Sequence, residues 1–259
     1  MKLSAHLGFQ FNEVPFYDRF ELAARCGYHA VEFPSPYGHE TAKLKNLLVS
    51  NGLKLVQIAA PMGDSAANEK GIAAFPGRRE EFLAGLVTAR DTALALDCPR
   101  IHVMAGVVRF DTDESWVTYV ENVREAVDIF AAASIKTIVE VMSPLETPGY
   151  FMSSFELADK LFAAIPTNSL EFLFDTYHAA ALSGDVVGLL KRWLPRLGHI
   201  QISDHPGRHE PGTGTLPFPE VFAELQRHGY SQWLGCEYRP LHDTVSGLKY
   251  LKPYLHAGQ

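Results

Sequence analysis

The chain is short of what would cross-link it, anchor it or make it basic. Only three of its 259 residues are cysteine: Cys26, Cys98 and Cys236, far apart and without paired spacing. That argues against a disulfide framework and against a cysteine-built zinc site. No apolar run is long enough to span a bilayer. The opening Met1-Lys-Leu-Ser-Ala-His6 lacks the apolar stretch of a signal peptide, so a soluble, cytoplasmic protein with no membrane partner is the expectation. Lysine and arginine number 23 against 30 acidic residues, a net charge of −7, which argues against a general nucleic-acid surface. Gly8-Phe-Gln-Phe-Asn12 is not the G-x-G-x-x-G of a dinucleotide fold. No other glycine loop is built to cradle phosphate, and no Ser/His/Asp or Cys/His pattern offers a nucleophile. Internal repeats, low-complexity segments and linkers are also missing.

What is present is an alternation. Hydrophobic residues make up 47% of the chain, enough for a sizeable core. Strands are expected at Leu3–Gly8, His29–Phe33, Leu53–Ala60, Arg100–Ala105, Lys136–Met142, Leu170–Phe174, Gly198–Ser203 and Gln232–Glu237. Helices are expected at Glu13–Cys26, Glu40–Ser50, Arg78–Leu96, Asp113–Ala133, Ser153–Ala164, Asp185–Trp193, Pro217–His228 and Thr244–Leu255. The warrants are local. Phe16, Phe20, Leu22 and Ala23 stripe the first helix, and Gly27 stops it. Ser153 or Ser154 caps the fifth, with Glu156 in its first turn. Leu53–Ala60 is nearly all apolar, as a parallel strand covered on both faces should be. Strict strand–helix alternation means a parallel sheet with right-handed crossovers. Eight such units in about 250 residues predict an α/β chain folded as one (β/α)8 TIM barrel domain over residues 1–259. The connection Pro61–Gly77 is too long for a turn and is expected to be a lid.

In that fold the chemistry sits where strands end. The fifth strand ends in Val139-Glu140, the sixth in Phe174-Asp175 and the eighth in Cys236-Glu237, while the seventh carries Gln201. Three carboxylates converging with one amide repel unless a cation neutralises them. Oxygen donors without thiolate favour Mg²⁺ or Mn²⁺ over zinc. Glu140, Asp175, Gln201 and Glu237 are therefore the expected metal ligands. Glu140 and Glu237, facing each other across the pocket, suit proton transfer between neighbouring carbons of an α-hydroxy carbonyl compound through an enediolate. His178, three residues after Asp175, is expected to contact substrate or brace a ligand. After the strand Gly198–Ser203 comes a loop dense in Gly, Pro and charge, running to Gly214. Its Arg208, His209 and Glu210 put charge at the mouth, and an arginine there forks onto a carboxylate. His102 and His199 read as core histidines with partners of their own, Cys236 as a buried inert thiol, and Phe9 and Phe11 as core or pocket wall.

The motifs Gly27-Tyr-His-Ala-Val-Glu-Phe33, Pro61-Met-Gly-Asp64, Gly71-Ile-Ala-Ala-Phe-Pro-Gly-Arg78, Asp175-Thr-Tyr-His178, Gly198-His-Ile-Gln201, Glu210-Pro-Gly-Thr-Gly214 and Gly235-Cys-Glu-Tyr238 give the chain a resemblance, over nearly its whole length, to the hydroxypyruvate isomerase family of xylose-isomerase-like barrels. The resemblance implies a divalent metal on Glu140, Asp175, Gln201 and Glu237, with Glu140 and Glu237 as proton donor and acceptor. Two substrates compete within the family: hydroxypyruvate, and the 2-dehydrotetronate acids of the 2-oxo-tetronate isomerase branch. Asn12-Glu-Val-Pro-Phe16, His102-Val-Met-Ala-Gly-Val107 and Arg208-His-Glu-Pro211 look more like the second. Either substrate needs a carboxylate anchor, for which Arg208 and Arg239 are the expected residues. The family usually has Asn where His6 stands, Lys where Arg239 stands and Glu where Thr215 stands, so His6 at the end of the first strand is a further expected substrate contact. A ketose 3-epimerase on the same barrel resembles a chain with histidine as third ligand, and Gln201 weighs against it. An endonuclease for abasic DNA would need more histidine ligands and a basic face. A silent binding or scaffold protein would have lost the carboxylates. The expected partner is a small keto or hydroxy acid, and a homo-oligomer is left open.

Overall fold

The structure is a computed structural model that describes residues 1–108 and 113–251. Its elements run β1 (Lys2–His6), α1 (Asp18–Arg25), β2 (Ala30–Glu32), α2 (Thr41–Ser50), β3 (Lys54–Leu55), β4 (Ile58–Ala59), α3 (Arg79–Ala95), β5 (Arg100–His102), α4 (Asp113–Ala131), β6 (Lys136–Glu140), α5 (Phe155–Ala164), β7 (Leu170–Asp175), α6 (Thr176–Leu182), α7 (Val186–Trp193), β8 (Leu197–Ile202), α8 (Phe218–Arg227), β9 (Trp233–Cys236) and α9 (Thr244–Gly247). The strand order is β3-β2-β1-β9-β8-β7-β6-β5-β4, and the pairings are parallel. This is the expected (β/α)8 class, with nine strands among the described residues where the sequence predicts eight. The third, Leu53–Ala60, is split because it changes partner midway. Lys54 and Leu55 pair with β2, whereas Ile58 and Ala59 pair with β5.

The chain packs as two compact units. The first comprises Met1–Phe33, Ala42–Val56 and the chain from Phe174 onward. Its strands β3-β2-β1-β9-β8 are backed by amphipathic helices whose buried faces repeat at helical spacing, as Val221, Phe222 and Leu225 do on α8. Phe20 of α1 meets Phe16 and Phe33 edge-on at 5.5 and 5.8 Å between ring centres. Burying an aromatic ring of this kind contributes roughly 1.5–3 kcal/mol. Helix α1 starts at Asp18 rather than Glu13, because Phe11 takes a left-handed φ of 58° and the chain turns through Pro15 first. Helix α6 is not in the sequence reading: Asp175 ends β7 and caps α6, its Oδ1 accepting the Tyr177 N–H at 2.7 Å. Of the expected Thr244–Leu255 helix, α9 and a 3₁₀ turn over Leu248–Tyr250 are present; residues 252–255 lie outside the described residues.

The second unit comprises Pro34–Thr41 and Gln57–Leu173. Helix α3 buries Phe82, Leu86, Ala89 and Ala93, and α4 buries Tyr119, Val123, Ala126, Val127 and Phe130. Ser154 caps α5 as expected, accepting the Leu157 N–H at 3.3 Å. The connection 61–77 divides in two. Gly71 bridges Ala105, Ala74 N–H donates to Ala105 O, and the Asn122 amide donates to Ala73 O. A side chain at Gly71 would put Cβ 2.2 Å from Met104 O, so only glycine allows this close docking. Residues 72–74 are buried, whereas 63–68 are exposed.

Candidate active site

The first unit collects most of the expected site residues at the ends of its strands. Asp175 ends β7 with its two oxygens divided: Oδ1 caps α6, and Oδ2 accepts from Arg208 Nη2 at 2.8 Å. The same Nη2 donates to Glu237 Oε2 at 2.6 Å. Glu237 follows β9 directly, and its other oxygen lies 3.3 Å from His6 Nε2 at the end of β1. His178, in the first turn of α6, places Nε2 3.7 Å from Asp175 Oδ2. Thus Asp175, His178, Arg208, Glu237 and His6 form one chain of contacts, buried except at the partly exposed Glu237.

The loop after β8 is built to hold Arg208 there. Asp204 accepts the N–H groups of His205, Gly212 and Leu216 at 2.7–3.0 Å. Gly214 leaves room for it, since a Cβ there would fall 2.6 Å from Asp204 Oδ1. Arg208 takes a left-handed φ of 57°, and its guanidinium stacks over Phe9 at 4.9 Å and Tyr177 at 5.3 Å. Arg239 stacks on the same Phe9 ring at 5.4 Å. Its N–H donates to Arg208 O, but its side chain is exposed. His209 braces the loop instead of joining the carboxylates: its Nδ1 meets Arg239 O at 2.8 Å. Glu210 does the same from the other side, both oxygens accepting the Leu241 N–H at 3.2 Å.

Electrostatics follow from crowding. Burial pushes the Glu237 carboxyl up to about 8; Arg208 opposes this, and the nearby Asp175 and Glu32 charges reinforce it. Burial lowers His6 to about 4, with Arg208 and His199 adding to the effect against Glu32. His6 is therefore neutral at pH 7. Its Nδ1 accepts the Gly8 N–H at 3.2 Å, which leaves the Nε2 proton to face Glu237.

Gln201 is buried on β8, and here the structure adds a residue that the sequence reading passed over. Gln201 Nε2 donates to Glu32 Oε1 at 2.8 Å. Glu32 is completely buried. Its Oε2 meets His199 Nε2 at 2.7 Å and Ser4 Oγ at 3.0 Å. Burial alone would raise the Glu32 carboxyl, but His199, His6 and the Gln201 hydrogen bond hold it down at about 2. The available signal was a carboxylate within the apolar run Ala30-Val-Glu-Phe33, where a charge must find partners. His199 has such a partner, as expected for a core histidine.

Glu140 belongs to the second unit. It ends β6, is buried, and lies 3.9 Å from His102 Nε2. It pairs in register with Leu173, two residues before Asp175 on β7. In the first unit, the Asp175 carboxylate and the His178 imidazole are donors of the kind that hold a metal ion. Beside them two carboxylate oxygens, from buried Asp175 and partly buried Glu237, converge on one positively charged nitrogen of Arg208. No helix of the described residues is long and apolar enough to cross a membrane.

Residues 20–254 match the family model described as xylose isomerase-like TIM barrel. The chain is 40% identical to a 2-oxo-tetronate isomerase of Cupriavidus necator, with 98% of each chain covered. It is 36% identical to the hydroxypyruvate isomerase of Escherichia coli over 98% of this chain and 99% of that one. A crystal structure from Brucella melitensis described as an AP endonuclease, family 2, superposes with a TM-score of 0.95 at 38% identity, over 98% of both chains. A D-psicose 3-epimerase from Clostridium cellulolyticum, at 20% identity over 96% of this chain and 90% of that one, shares the fold with a TM-score of 0.78. By its strand order and by a family match over nine-tenths of its length, the chain belongs to the xylose isomerase-like TIM barrel family.

Proposed function

We propose that this isomerase moves a carbonyl between neighbouring carbons of a small hydroxy keto acid, with 2-dehydrotetronate as substrate and 3-dehydrotetronate as product. The observation that carries the reading is the Asp175–Arg208–Glu237–His6 cluster, in a chain 40% identical over its length to a 2-oxo-tetronate isomerase. The residues proposed to hold a Mg²⁺ or Mn²⁺ ion are Glu140, Asp175, Gln201 and Glu237, with His178 as a substrate contact. Such an ion, when bound, polarises the substrate's carbonyl and hydroxyl oxygens.

The remaining work falls to the chain's own side chains. Glu237 delivers a proton to one carbon. Glu140 takes the proton from the neighbouring carbon, and the roles reverse in the other direction. His6 Nε2–H steadies the Glu237 oxygen it faces. Arg208 and Arg239, stacked on one Phe9 ring, receive the substrate carboxylate, and the wall of Phe9 and Tyr177 excludes water. Localisation in the cytoplasm accords with a metabolic substrate.

Hydroxypyruvate is the second reading, supported by the 36% identity to the Escherichia coli enzyme. A nucleic-acid substrate, as the description of the Brucella protein would suggest, fits poorly with a net charge of −7. The test is Glu140→Gln and Glu237→Gln, each assayed on 2-dehydrotetronate. The reading expects kcat to fall about 100-fold or more, with the fold intact by circular dichroism. Unchanged turnover in both variants would remove these carboxylates from the chemistry.

A further inference from the structure

Glu32 and Gln201 come from strands with two others between them. In the first unit the order is β2 (Glu32), β1, β9, then β8 (Gln201). Across a flat sheet three strand spacings would separate them by about 14 Å, far beyond hydrogen-bond reach, yet their side chains meet at 2.8 Å. The register shows how. Ser4 of β1 and Gln201 of β8 both pair with Gly235 of β9. Gly235 leaves the middle of that row empty, and the Glu32 carboxylate fills it: a Cβ at residue 235 would sit 2.3 Å from Glu32 Oε1. Ser4 Oγ and His199 Nε2 then fix the other oxygen at 3.0 and 2.7 Å. Three donors and one missing side chain therefore hold this carboxylate in a single orientation.

The consequence lies in the amide. An ionised carboxylate only accepts hydrogen bonds, so the end of Gln201 that faces it must be the NH₂. The Gln201 carbonyl oxygen is left as the end turned away from Glu32. We infer that Glu32 is a positioning residue: it fixes the flip of the Gln201 amide so that Gln201 presents oxygen, not nitrogen, to a divalent cation. Hydrogen-bonded partners behind a ligand typically change metal affinity by about 10–100-fold. An amide that turned around would lose the coordination altogether, because its NH₂ has no lone pair to give. This inference rests on the proposed role of Gln201 as a metal ligand.

Glu32→Gln is the direct perturbation. The new side chain has the same shape, and it can keep Ser4 and His199 on its carbonyl oxygen. Its NH₂ then faces Gln201 and selects the reversed amide, with nitrogen toward the cation. The experiment is Mn²⁺ titration of the full-length protein by isothermal calorimetry, alongside a thermal melt without metal. Wild type is expected to bind one Mn²⁺ per chain, and Glu32→Gln to bind at least about 10-fold more weakly while melting within a few degrees of wild type. The exchange Glu32→Gln/Gln201→Glu restores a carboxylate–amide pair and puts an oxygen toward the cation in either orientation. Its Mn²⁺ affinity is expected to return to within about threefold of wild type or better.

Equal binding by wild type and Glu32→Gln would overturn the inference while leaving the metal reading standing. Failure of wild type itself to bind would instead remove the metal reading. If Glu32→Gln does not fold, the exchanged variant carries the test. An exchanged variant that folds but binds as poorly as a Gln201→Leu control would show that Glu32 serves only Ser4 and His199.

Discussion

Removing the proton from Glu237 should cost stability, and the size of the cost can be worked out. The buried carboxyl titrates at about 8 in the folded chain against an ordinary 4.5. Between those values the folded state binds more protons than the unfolded one, so stability is fully present below pH 4.5 and is lost as pH rises through about 8. His6 acts in the opposite sense lower down. Its folded value is about 4 against 6.5, so its contribution grows as pH rises from 4 to 6.5. Above pH 6.5 the remaining His6 contribution is only about 0.4 kcal/mol, so the Glu237 effect dominates there. One pKa unit corresponds to about 1.4 kcal/mol. Averaged over the partly protonated range, stability should fall on the order of 1.5 kcal/mol between pH 6.5 and 8. For a chain of this length that is about 3–6 °C in melting temperature. The assay is a set of thermal melts of chelator-treated protein at half-unit intervals, with Glu237→Gln measured in parallel. Glu237→Gln has no carboxyl to ionise and should show a nearly flat profile. Parallel profiles for the two proteins would refute the reasoning, because the slope would then come from elsewhere.

Other expectations follow from the same contacts. Gly235→Ala drives a Cβ into the Glu32 carboxylate and should cost about 1–3 kcal/mol by overpacking, read as a lower denaturation midpoint. Arg208→Met strips the shared counter-charge from Asp175 and Glu237 and should destabilise the metal-free protein by about 3–5 kcal/mol. Saturating Mn²⁺ should recover much of that loss; equal destabilisation with and without Mn²⁺ would mean that no cation takes over the charge. Arg239→Ala, on an exposed side chain, should raise KM for the keto acid roughly tenfold while kcat stays near wild type, since a charged hydrogen bond contributes about 1.5–3 kcal/mol. A fall in kcat alone would assign Arg239 elsewhere.

The fold was legible because strand–helix alternation is a pattern of burial, and burial is written in residue type. Leu53–Ala60 carries its apolar signal through, but no local pattern announces that its ladder changes partner between Leu55 and Ile58. The cap of α6 was hidden because Asp175 was read for its charge, when its two oxygens serve two purposes. Asp175, Glu237 and Arg208 were legible as polar residues at strand ends or in the loop that follows. Their convergence on one nitrogen was not, since it depends on a loop folded around Asp204 and Gly214. Glu32 was missed for a different reason. Its meaning lies across two intervening strands, in the empty place at Gly235, and sequence spacing carries no record of that.

The central claim is proton transfer on a small keto acid, and solvent exchange tests it most directly. The protein, supplemented with Mn²⁺ or Mg²⁺, would be incubated in D₂O with 2-dehydrotetronate and, separately, with hydroxypyruvate, and deuterium on substrate and product carbons followed by NMR. The account predicts deuterium incorporation into 2-dehydrotetronate and its product, with faster turnover of the tetronate acid than of hydroxypyruvate. Faster turnover of hydroxypyruvate would shift the substrate assignment within the same chemistry. No deuterium in either acid, from protein shown to bind the metal, would contradict the account.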